Sequence, residues 1–103
     1  MAMNLCIFQG GLVRDPEITT GTKQDGEAYI KARFTLGVGR VGTDSSDYPE
    51  FYCFGKTAEF VEKYLKKGSQ VIVEGSYESG SYTNRDGDKV YTSVFRAKEV
   101  RFS

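Results

Sequence analysis

Residues 48–56, YPEFYCFGK, carry four aromatic rings within seven positions: Tyr48, Phe51, Tyr52 and Phe54. A β-strand sends alternate side chains to opposite faces. Tyr48, Glu50, Tyr52 and Phe54 therefore share one face, and Pro49, Phe51 and Cys53 share the other. Phe51 and Cys53 suit a core. The stretch YIKARFTLGV (29–38) alternates in the same way, setting Ile30, Ala32, Phe34, Leu36 and Val38 against Tyr29, Lys31, Arg33, Thr35 and Gly37. Its open face brings Lys31 and Arg33 beside Tyr48, Tyr52 and Phe54. Rings interleaved with cations suit a single-stranded nucleic acid. Each base stacks on a ring for about 1–3 kcal/mol with little regard to its identity, and the cations neutralise the phosphates between. The same outward rings read equally as a subunit interface or as a patch beneath a helix. Further along, Tyr77, Tyr82 and Tyr91 are spaced with Arg85 and Lys89. Such an arm either folds over a bound strand or simply exposes a turn tyrosine.

These residues need strands to hold them. Residues 4–13, NLCIFQGGLV, read as a first strand, bent where Gly10 and Gly11 fall and ended by RDPE (14–17), because Pro16 has no N–H for a ladder. A polar loop, TTGTKQDGE (19–27), leads to the second strand at 29–38. GRVGTDSSD (39–47) is a second loop, and 48–56 is the third strand. TAEFVEKYLKKG (57–68) is the single helical pattern, with Ala58, Val61 and Leu65 at helical spacing. Thr57 is expected to cap its start and Gly68 to end it, with Lys66 and Lys67 against the dipole. Residues 70–78 form the fourth strand. Asp86-Gly87 marks a hairpin turn into the fifth, at 89–102. The fold class this order predicts is all-β: a five-stranded OB-fold Greek-key barrel with one short α-helix between strands three and four.

Composition narrows the chemistry. A chain of 103 residues with 39% hydrophobic and 27% charged residues is ordinary for a single globular domain. It has no His and only two Cys, so neither a zinc site nor a His-activated nucleophile has its ligands. GVG at 37–39 is too short for a dinucleotide fingerprint. No enzyme, cofactor or metal is expected. Net charge is zero, which argues against a uniformly basic binder and leaves room for cations gathered on one face. No apolar run approaches the roughly 20 residues of a membrane span, and the N-terminus lacks a signal-peptide pattern. An intracellular, cytoplasmic protein is expected, with Cys6 and Cys53 as reduced inward thiols and a disulfide between them as the alternative.

FGKTAEFVEKYLKKGSQVIVEGSYE (54–78) resembles the central block of bacterial and phage single-stranded DNA-binding proteins. RDPE (14–17), FTLGV (34–38) and YTNRDGDKVYTSV (82–94) match that family in the same order. The resemblance covers essentially the whole chain. It implies a non-enzymatic, sequence-independent binder of single-stranded DNA in replication, recombination and repair, usually a homotetramer. Three family stacking positions fall on Tyr48, Phe54 and Tyr82. Lys31, Arg33, Lys56 and Arg85 are expected to meet phosphates, and Tyr52 is a further candidate base contact. A fourth family ring falls near Gly42, where this chain has none. Glu50 lies between two stacking positions and is expected to weaken phosphate approach there. Many relatives continue into an acidic tip that recruits partner proteins. Residues 1–103 are expected to be one domain without that tail, so replication and repair partners are expected only if a native tail exists. The other reading is an OB-fold replication-restart accessory or protein–protein assembly module.

Overall fold

The computed structural model describes residues 2–103, with the backbone alone at Tyr91. Its strands are β1 (Cys6–Leu12), β2 (Glu17–Thr22), β3 (Ala28–Gly39), β4 (Ser46–Asp47), β5 (Glu50–Phe54), β6 (Gln70–Thr83) and β7 (Lys89–Phe102). The helix α1 (Gly55–Tyr64) lies between β5 and β6. The five strands expected from sequence are β1, β3, β5, β6 and β7, and they form a ring. The path runs β1-β6-β7-β5-β3, and β1 closes it by pairing again with β3. Every pairing in this ring is antiparallel except β5 with β7, where Phe51 lies opposite Phe95 and Tyr52 opposite Arg96. This is the small closed barrel that the strand order predicts.

One strand can serve two neighbours only if it bends. Cys6–Gly11 pairs with β6, and Gly11 and Leu12 pair with β3. At the crossing, a Cβ on Gly10 would stand 2.3 Å from the carbonyl oxygen of Gly37, so only glycine allows the approach. Inside the ring, Phe34, Leu36, Phe51, Cys53, Val71 and Val73 are all but fully buried, with Ala58 and Val61 of α1 and Leu65 just after it sealing the core. Phe51 stacks on Phe34 at 5.2 Å between centroids and meets Phe8 edge-on at 5.6 Å.

The structure corrects several local expectations. TTGTKQDGE is not all loop: Glu17–Thr22 is a strand paired along its length with β3, and only the turn around Lys23–Gly26 is free of the sheet. The second loop contains the two-residue β4, paired with β3. The helix starts and stops earlier than its pattern suggested. Phe54, with extended φ and ψ, occupies the N-cap and offers no side-chain acceptor. Thr57, already inside the helix, sends its hydroxyl to the Lys98 carbonyl at 3.4 Å. Leu65 turns extended and ends the helix. Gly68 takes its positive φ in the turn before β6, and the Lys67 N–H is bonded to Asp15 at 2.8 Å. Thr35 is buried although its phase is outward, because Arg14 lies over it and donates to its hydroxyl at 3.2 Å.

Candidate nucleic-acid interface

The alternation in β3 and β5 is as read. Lys31 lies opposite Phe54 and Arg33 opposite Tyr52, while Ala32 opposite Cys53 and Phe34 opposite Phe51 turn inward. The outward set forms one cluster. The Lys31 ammonium sits 5.6 Å from the Tyr52 ring centroid and 5.7 Å from that of Phe54, within cation–π range of both. Tyr52 and Phe54 meet edge-to-face at 5.7 Å. Phe54 remains 43% exposed, whereas Tyr52 is half-buried. The Tyr52 hydroxyl donates to Glu78 of β6. That bond, with burial and the carboxylate's charge, pushes the phenol's pKa above its ordinary value, against a smaller opposing pull from Arg96.

The remaining residues of interest are spread around this cluster. Tyr48 is 65% exposed and stands just before β5, roughly 20 Å along the strand from Phe54. Arg40 grips Asp47, the residue preceding Tyr48, through two hydrogen bonds of 3.0 and 2.7 Å, which raise the Arg40 pKa and lower that of Asp47. The loop between them carries Val41 and Gly42 and no ring. Tyr82 is 56% exposed on the long β6–β7 arm. Arg85 is exposed at its tip, where the Asn84 side chain accepts the N–H groups of Asp86 and Asp88. Tyr82 and Glu78, four residues apart on β6, share one phase of that strand. The side chain of Tyr91 lies outside the described residues. Lys56 is exposed on the first turn of α1, off the strand face. Between β3, β5 and the arm runs an open groove of about 470 Å³, lined by Lys31, Arg33, Glu50, Tyr52 and Glu78 among others.

The electrostatics of the face are mixed. Arg33 is held by Glu50 at 2.9 Å, both side chains about half exposed. Such a pair contributes about 0–1 kcal/mol, so a phosphate can displace the carboxylate at little cost. Sequence reasoning missed Arg96. It is exposed beside Tyr52 in the parallel register, and among the described residues no carboxylate lies within ion-pair distance of it. Its outward phase was legible between the inward Phe95 and Ala97. Its neighbourhood was not, because only ring closure brings β7 beside β5. Glu78 was missed for the same reason.

Comparison with known proteins adds an independent finding. The model of the single-strand binding protein family matches residues 3–103. A single-stranded DNA-binding protein of Fusobacterium nucleatum is 37% identical over 97% of this chain. Proteins of the same description from Clostridium perfringens and Staphylococcus aureus are 38% and 37% identical over 88% and 97% of it. These relatives are longer, and the chain spans 66%, 59% and 65% of their lengths.

Proposed function

The chain belongs to the single-strand binding protein family, and from that premise we propose that it binds and protects single-stranded DNA without sequence preference, as a binding protein and not an enzyme. The observation that carries the reading is the outward face of β3 and β5, where Lys31 lies over the exposed ring of Phe54 and the half-buried ring of Tyr52, on a barrel whose core rings point the other way. Bases stack on Tyr48, Phe54 and Tyr82, with Tyr52 bracing Phe54 from the side. Lys31, Arg33 and Arg96 meet phosphates beside them, and Lys56 and Arg85 extend the path at its two ends. The cellular setting is the cytoplasm, wherever replication, recombination or repair exposes single strands. The assembly is a homotetramer.

Parallel measurement of oligo-dT affinity and thermal melting tests the face. Replacing Tyr48, Phe54 or Tyr82 by alanine is expected to cost about 1–3 kcal/mol of binding per lost stack while the fold survives. Phe51→Ala, on the buried side of the same strand, is expected to cost about 3–5 kcal/mol of stability through the cavity it leaves. A Phe54→Ala protein that binds dT as tightly as wild type would remove Phe54 from the interface.

A further inference from the structure

A second groove, of about 1050 Å³, opens between the β2–β3 hairpin and α1, with Tyr29, Ile30, Phe54 and Arg96 in its lining. Phe54 lines this groove and also meets Tyr52 and Lys31 of the proposed DNA face, so it stands where the two adjoin. Tyr29 shares the outward phase of Lys31, two residues along β3, and lies directly opposite Gly21 on β2. Its phenol end lies across that glycine: a Cβ at 21 would stand 2.8 Å from Cε1, Cζ and the hydroxyl oxygen of Tyr29. The bare glycine lets the ring settle against the β2 backbone, which limits its rotation, yet Tyr29 stays half-buried and not enclosed. A ring restrained on one side and accessible on the other loses little freedom when a base stacks on it.

We propose that Tyr29 is a further stacking platform and that this groove takes the base that follows the one on Phe54, with Arg96 holding the phosphate between them. This rests on the single-stranded DNA reading and deepens it by one nucleotide. Charge orients the chain within the groove. Glu59 and Glu62 line the helical wall and repel phosphate, while Arg96 and Lys23, the cations of the lining, attract it, so the backbone keeps away from the helix and the uncharged base turns toward Tyr29.

The test uses oligo-dT of graded length with wild type, Tyr29→Leu, Tyr29→Phe and Phe54→Ala, each checked by thermal melting. Tyr29→Leu keeps apolar bulk over Gly21 and is expected to weaken binding roughly fivefold or more, whereas Tyr29→Phe, which keeps the ring, binds as wild type. The native chain has no Trp, so a Tyr29→Trp variant supplies a single indole reporter, and its fluorescence is expected to be quenched by dT. If Phe54→Ala weakens binding but Tyr29→Leu does not, and the indole is unaffected by dT, the subsite is overturned and the function stands. If wild type does not bind dT at all, the function and the subsite fall together.

Discussion

Tyr52 shows how one residue serves two purposes. Its ring steadies Phe54 edge-on, and its hydroxyl ties β5 to Glu78 of the β6–β7 arm. A neutral phenol donates that bond and a phenolate cannot, so folding holds the proton and raises the pKa above the ordinary value of 10.0. The sign follows directly. The contribution to stability is fully present below pH 10, where the unfolded phenol is also protonated, and is lost as pH rises through the higher folded value. Alkaline titration followed by phenolate absorbance is expected to reveal a late-titrating tyrosine in wild type whose ionisation moves to lower pH in Glu78→Ala, where the hydrogen bond is gone and only burial still raises it. Simultaneous ionisation of all the tyrosines in wild type would place the hydroxyl elsewhere.

The junction of β5 and α1 is a compromise between an element and a site. Phe54 holds the helix N-cap, where Ser, Thr, Asp or Asn would accept an otherwise unpaired N–H, and it makes no side-chain cap. The ring proposed as a stacking platform therefore stands here at some cost to the helix. Phe54→Ser and Phe54→Ala both remove the platform and are expected to lose dT affinity alike. Phe54→Ser is expected to be the more stable of the two by about 0.5–2 kcal/mol, the usual worth of such a cap. Denaturant titration of the pair measures the difference, and equal stabilities would mean that the helix start is already satisfied by another group.

For the molecule as a whole, the outer surface of β1 and β6 exposes apolar side chains. Leu5 and Ile7 are 60% and 58% exposed there, with Ile7 opposite Glu74 and Gln9 opposite Ile72. Arg101 reaches both Glu74 and Glu99, at 3.6 and 3.4 Å, along the neighbouring edge of this surface. The proposed homotetramer buries Leu5 and Ile7 at a contact between copies. Light scattering at micromolar concentration is expected to give the tetramer mass for wild type and a smaller one for Leu5→Glu with Ile7→Glu. A wild-type monomer would refute the assembly while leaving the single-subunit face intact.

Much of this arrangement was legible locally. The facing of Phe34, Leu36, Phe51 and Cys53 against Lys31, Arg33, Tyr52 and Phe54 follows from the period of two, which the pleat imposes on any strand wherever it lies in the fold. The strand order likewise pointed to the barrel. β2 was hidden because Glu17–Thr22 is polar and carries a glycine, and it is a strand by virtue of its ladder to β3. Phe54 as N-cap was hidden because the bend from β5 into α1 outweighs the preference for a capping side chain. What the sequence alone determined is which side of β3 and β5 is wet, with Thr35 the exception. Which wet residues touch was decided by the closing of the ring. The parallel β5–β7 pairing sets Arg96 beside Tyr52, and the arm hands Glu78 to the same phenol. Those neighbours are distant in sequence, and only long-range backbone pairing brings them together.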